Sequence, residues 1–373
     1  MALGEGTFTA HHPPNPLPMA LPRFAATRSF HTELKTRINQ YFEESGQRMT
    51  GDFSLLFKAV LLVGVMVGLY VHLVFFTPPA LWALLECALL GCVIAAIGFN
   101  VMHDGAHGSF SRFPWVNKLA AYTLGVLGGS PYMWNSKHNL IHHTYTNIEG
   151  HDDDINIQPW MRMTPDQPKH ALHRYQHFYF WALYCMLYIS WIFAMDYQKY
   201  FSRQIGAIGL KPMNTGEHVS FWGFKALNLV LYVALPIYFV GFWPWFAGFM
   251  LSTAVAGLVL SMVFQLAHTV EDAAFPVPHA VTSKLEDEWA IHQVRTTANF
   301  ATDNKVVSWL VGGLNFQIEH HLFPKISHVH YPAISKIVQQ VCAEFDVTYN
   351  NYKHTRTAML SHVMYLRQMG RAA

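Results

Sequence analysis

The chain has 373 residues, a formal net charge of +2, 52% hydrophobic residues and only 13% charged ones. Soluble domains carry about 25% charged residues, so this composition excludes an ordinary water-soluble domain, and the small net charge argues against a nucleic-acid partner. The 23 histidines, nearly equal in number to the 25 lysines plus arginines, are the feature that needs an explanation.

Residues 1–30 are rich in Pro and His (HHPPNPLP) and lack a compact apolar stretch, so a flexible tail is expected there rather than a signal peptide. A single membrane domain is expected over 31–350, with a second tail over 351–373. Residues 59–85 contain no Asp, Glu, Lys or Arg. Their apolar part, AVLLVGVMVGLYVHLVFF, is long enough to cross a hydrocarbon core, which takes about 20 residues. Pro78 and Pro79 break it, and a second span is expected from about 79 to 102, with Glu86 as its one charged member. The 45-residue run 226–270, free of those charges, is too long for one helix. GFWP at 241–244 divides it into expected spans over about 226–242 and 244–267.

Residues 119–136 and 175–195 are also charge-free, and hydropathy alone leaves them ambiguous. Histidine clusters lie between the two hairpins and after the second, so they meet only if they emerge on one side. Two hairpins satisfy that condition and one extra crossing at 175–195 does not. Both segments are therefore expected at the interface or against the bundle. The fold expected is an all-α integral membrane protein with four transmembrane helices in two hairpins, interfacial helices and a cytoplasmic cap. The hairpin turns lack Lys and Arg. The flanking regions carry Arg23, Arg28, Lys35, Arg37, Arg48, Lys58, Lys199, Arg203, Lys211 and Lys225, which places these regions and both termini in the cytoplasm. Cys87, Cys92, Cys185 and Cys342 form no CxxC pair, so neither a thiolate zinc site nor a disulfide scaffold is indicated.

The histidines follow in order. HDGAH places His103 and His107 four apart at the end of the second span. HNLIHH contains His138, His142 and His143. FQLAH ends the last span with His268. QIEHH puts Gln317 before His320 and His321. Residues three or four apart share a helix face. Imidazole is the commonest metal-binding side chain, and eight histidines exceed the needs of one tetrahedral zinc site, so a histidine-rich dimetal site is expected. Counting does not choose among iron, copper, nickel and zinc. Each ligand histidine needs a partner for its other nitrogen, and Asp104, Asn139, Glu319, Asp152 and Asp153 are the candidates. The DDD run at 152–154 reads as a loop or helix cap. Arg295 is a candidate for a substrate headgroup, and Trp309 and Phe316 for the wall of an apolar slot.

HDGAH, HNLIHH and QIEHH resemble the three histidine boxes of the membrane fatty-acid desaturases, and the Gln opening the third resembles the front-end group (Δ5/Δ6 and linoleoyl-CoA-type). The resemblance covers about residues 30–350. It implies two Fe ions that activate dioxygen, the co-substrate, and removal of two hydrogens from adjacent carbons of a fatty acyl-CoA or membrane acyl-lipid. It implies His103, His107, His138, His142, His143, His320 and His321 as ligands, with His268 as the extra ligand. Gln317 stands where many relatives have histidine, and either binds metal through its amide oxygen or holds a water. No HPGG motif is present, so no bound haem is expected. Electrons are expected from a separate ferredoxin or cytochrome b5 with its reductase, and the location from a bacterial inner membrane. A hydroxylase with the same irons is the rival enzyme. A non-catalytic membrane metal-binding or transport protein is the rival of another class, but a transporter would place its polar ligands near the bilayer midplane.

Overall fold

The computed structural model describes residues 21–372. The expected N-terminal tail falls mostly outside them, but residues 23–25 run beside 283–287, with Arg23 N–H donating to Ser283 O and Leu285 N–H to Arg23 O. Helix α1 (Ser29–Ser45) follows.

Asp52 then caps α2 (Phe53–Phe76), its carboxylate accepting from Leu55 N–H at 3.1 Å. Pro78 and Pro79 lack an N–H to continue that helix, and α3 (Ala80–His107) starts directly after them. α3 runs beyond the apolar segment and ends in HDGAH. Beyond it lie α4 (Pro114–Val126) and a distorted helical segment, α5 (131–145). α6 (Ala171–Ser202) is next, followed by a hairpin of two-residue strands, β1 (Gln204–Ile205) and β2 (Ile208–Gly209). α7 (Thr215–Val240) begins well before its apolar run because Asn214 and Glu217 form a capping box. Gly241, at φ +86°, turns the chain into α8 (Phe242–His268).

Among the described residues, five helices, α2, α3, α6, α7 and α8, are long and apolar enough to cross a membrane. Four were expected. The fifth, α6, contains the ambiguous 175–195 segment, which the flanking residues extend to 32. Leu90, Ile94, Ile97, Tyr188, Leu260 and Val263 from α3, α6 and α8 share one core. A second core joins α1 to the polar C-terminal third: α9 (Trp289–Arg295), α11 (Gln317–Leu322) and α12 (Tyr331–Glu344), with the short α10 (Lys305–Leu310) between α9 and α11. A parallel pair, β3 (Asn299–Phe300) and β4 (Asn351–Tyr352), ties this cap together. Residues 351–373, read from sequence as a tail, contain a docked helix, α13 (Thr355–Arg371). Its Tyr365, Leu366 and Met369 pack with Phe180 and Tyr184 of α6.

Both ends of α6 are tied to other polar segments. Gln176 Nε2 donates to Leu366 O of α13 at 2.8 Å, and Lys199 Nζ lies 2.8 Å from Asp153. Its middle crosses α8 at Gly257, where an added Cβ would sit 2.7 Å from the Tyr184 carbonyl oxygen. Gly257→Ala should therefore destabilise the protein by about 1–3 kcal/mol through overpacking. Gly68→Ala, where nothing lies within 4 Å, should be neutral or stabilising. Thermal unfolding of the two variants in detergent checks the contrast.

Candidate metal centre

The histidine clusters converge on one buried place. His103 and His107 occupy the last turn of α3, which Gly108 ends at φ +76°. A π-helical stretch at 98–102 precedes that turn, and a second, 135–142, carries His138 and His142. Such wide turns interrupt the ordinary helical repeat and are frequent at functional sites. α8 delivers His268 as its last residue. α11 delivers His320 and His321, and Asn299 Oδ1 accepts from Ile318 N–H at 2.9 Å in its first turn.

His103, His107, His138 and His320 offer donor atoms all within 4.8 Å of one another, and so do His142, His268 and His321. His143 joins His320 and His321 in a third such set and so bridges the two. Consecutive helical residues point about 100° apart, which is how adjacent His320 and His321 reach different sets. His138 and His142 belong one to each of the first two sets, and they also share a further set with Asp154.

Among the described residues, Nε2 of His107, His142, His268, His320 and His321 has no hydrogen-bond partner. His138 Nε2 lies 3.2 Å from Nε2 of both His103 and His143. Each unsatisfied buried polar atom costs about 1–3 kcal/mol, and cations shared among these rings would satisfy them together. The all-imidazole donor set fits a transition metal, and its size exceeds one four-coordinate site.

On four of the histidines the other ring nitrogen is already engaged. His142 Nδ1 lies 3.0 Å from Asp152, His321 Nδ1 2.8 Å from Gln293 Oε1, His320 Nδ1 3.2 Å from the Tyr331 hydroxyl and His268 Nδ1 3.4 Å from Thr296 O. Burial pushes His138, His143, His320 and His321 well below the ordinary imidazole value, which keeps them neutral with lone pairs available. Burial also opposes charge on His142, but the Asp152 carboxylate outweighs it and raises that ring.

A model of the fatty acid desaturase family matches residues 77–353. The sn-1 linoleoyl-lipid 6-desaturase of Arthrospira platensis is 37% identical over 93% of this chain and 94% of its own. The protein of the same name from Synechocystis sp. is 35% identical over 94% and 98%. An acyl-lipid (8-3)-desaturase of Physcomitrium patens is 33% identical over 93% of this chain and 72% of its own. The chain belongs to the fatty acid desaturase family. It is an oxidoreductase of the front-end group that uses dioxygen to desaturate a fatty acyl chain.

Two cavities reach the desaturase's histidines. One of about 960 Å³ ends at His107 and Trp134 and has Lys118 and Lys325 in its lining. The other, about 920 Å³, reaches His142 and His268 between Leu183, Tyr184 and Leu187 of α6 and Phe264 of α8. The three residues expected at the substrate line neither. Arg295 pairs with Asp287 at 2.8 Å, Trp309 lies under Lys58 and is 45% exposed, and Phe316 is buried in the cap core with Ile38 and Tyr331.

Of the expected partners for ligand histidines, only Asp152 contacts one. Asp104 Oδ2 accepts from Ser327 Oγ at 2.7 Å and lies 3.0 Å from His328 Nδ1, fixing the loop after the third box. Glu319 is held by Asn299 and Tyr349, each at 2.8 Å, and burial raises its carboxyl to about 7. Asn139 bonds Ala106 O and Asn135, and Asp153 pairs with Lys199. Gln293, Thr296 and Tyr331 went unnoticed in the sequence, because single polar residues far from any box carry no spacing signal. Gln317 is buried one turn before His320 and His321, and its amide nitrogen has no partner. Asp152→Asn removes the charge that orients His142 and should lower metal affinity about 10–100-fold, as read by titrating metal into metal-free protein. An unchanged affinity would show that Asp152 does not support the site.

Proposed function

We propose that this desaturase acts on acyl chains of membrane lipids at two irons. His103, His107, His138 and His320 hold one, His142, His268 and His321 hold the other, and His143 stands between them. The observation that carries this reading is the convergence of the unpartnered ring nitrogens of His107, His142, His268, His320 and His321, the last four with their opposite nitrogens engaged. Gln317 is the weaker member, a neutral amide that contributes an oxygen or holds a water.

An unactivated methylene has no acidic proton, so general acid–base groups cannot remove its hydrogen. Bound iron supplies the dioxygen activation this requires, while the protein supplies binding and orientation. Here that means setting the imidazoles, excluding water and holding two adjacent carbons beside the cluster. The acyl slot is the cavity between α6 and α8, whose rim includes Trp160 and Met186, 58% and 46% exposed. An acyl-lipid is preferred over an acyl-CoA because both cyanobacterial relatives, aligned over nearly their whole length, are named for a lipid-linked chain. Electrons come from a separate ferredoxin or cytochrome b5.

Four of the five apolar helices cross the bilayer in this reading, and α6 lies along the interface. Its support is that both ends of α6 are tied to segments at the metal-site end of the bundle, through Gln176 and Lys199. The metal site and both termini then face the cytoplasm, as the basic residues require. Cysteines introduced near Arg203 and near Lys169 should both resist impermeant reagents in intact cells. Labelling of one alone from outside would make α6 a crossing helix.

Purified protein given oxygen, a reductase and a carrier should introduce a double bond into acyl-lipid, located by mass spectrometry. Metal analysis should find close to two irons per chain. His320→Ala and His268→Ala should each abolish turnover and lower bound iron, whereas Gln317→Ala should reduce turnover with partial iron retention. A hydroxylated product would favour the rival chemistry, and full activity of His320→Ala would remove that residue from the site.

A further inference from the structure

The C-terminal helix reaches into the wall of the proposed acyl slot through one side chain. His362 of α13 is fully buried. Its Nδ1 lies 2.7 Å from the Thr269 carbonyl oxygen, which can only accept, so Nδ1 carries the hydrogen. Its Nε2 therefore accepts, from the Tyr184 hydroxyl at 2.9 Å. Burial pushes His362 down to about 4, consistent with a neutral ring. Tyr184 is 2% exposed and lines the cavity that reaches His142 and His268.

The chain of contacts continues along that wall. Thr269 Oγ1 donates to Gln265 Oε1 at 2.8 Å, and Gln265 Nε2 donates to Asp154 O at 3.3 Å. Thr269 directly follows His268, and Asp154 lies two residues after Asp152, the partner of His142. α13 is itself anchored where this happens, since Ser361 Oγ accepts from Glu271 N–H at 3.0 Å.

We infer that His362 is a positioning residue: from the C-terminal helix it fixes the Tyr184 wall of the acyl slot and so helps select the carbon pair presented to the histidine cluster. This rests on the cavity between α6 and α8 being the slot. Sliding a chain by one methylene changes little hydrophobic energy, so selection depends on how rigidly the walls stand. Tyr184 held from both its backbone and its hydroxyl is such a wall.

Tyr184→Phe keeps the ring and removes the hydroxyl, while His362→Ala removes its partner. Each should lower kcat/KM for the acyl-lipid roughly 10–100-fold, the scale on which small misplacements act, with iron content unchanged. Each should also spread the product over neighbouring double-bond positions. The double variant should be no worse than His362→Ala, because the two act through one contact, and His362→Gln should restore much of the single product position. Leu187→Trp, which fills the cavity, separates the two readings. If it changes neither turnover nor product, the slot is elsewhere and the inference falls with it. If it shifts the product while Tyr184→Phe and His362→Ala leave position and kcat/KM unaltered, the slot stands and the role of His362 is refuted. Additive losses in the double variant, with a single product position throughout, would likewise refute it.

Discussion

Everything in this protein depends on holding eight buried or half-buried imidazoles with ring nitrogens facing one another. Taken alone, that arrangement is unfavourable. Buried donors and acceptors without partners are costly, and burial and neighbouring rings disfavour the cation on His138, His143, His320 and His321, while Asp152 favours it on His142. Four of the rings, His142, His321, His268 and His320, are held on their far sides by Asp152, Gln293, Thr296 and Tyr331. A cation entering the cluster would meet those four rings already oriented.

The helices are shaped to that requirement. α3 and α8 run past their apolar segments just far enough to bring HDGAH and His268 to the same level. The π-helical turns at 98–102 and 135–142 sit in or beside the boxes. Asp104 reaches across to Ser327 and His328, so the first box also positions the loop that follows the third. Charged pairs flank this region. Lys225 and Asp196 are buried together at 2.9 Å, and Lys199 holds Asp153 next to the residue that orients His142.

The cap and the C-terminal helix close the structure around the site. α11 is pinned by Asn299, which accepts from Ile318 N–H and donates to Glu319, so one side chain fixes both the start of the helix and its outward face. α13 packs on α6, and its His362 bonds the hydroxyl of Tyr184, which lines the cavity that reaches His142 and His268.

The sequence by itself determined the class of protein, the apolar helices at both proline-marked turns, the family and the eight histidines that meet. These were legible because each depends on local pattern: an uncharged run long enough for a membrane, a proline that ends a helix, histidines at helical spacing. Only the tertiary structure decided how the histidines group into overlapping sets, with His138 and His320 beside His103 and His107, and His142 and His321 beside His268, since residue spacing does not express that geometry. It alone identified the partners of the rings, because Gln293, Thr296 and Tyr331 reach the site only through folding of the cap. It alone paired Arg295 with Asp287, placed Phe316 in a core, and put Tyr184 and Leu187, unremarkable in an apolar run, on the cavity that reaches His142 and His268. A burial pattern depends on what the remote chain places on each face of a helix, and no local stretch of sequence contains that information.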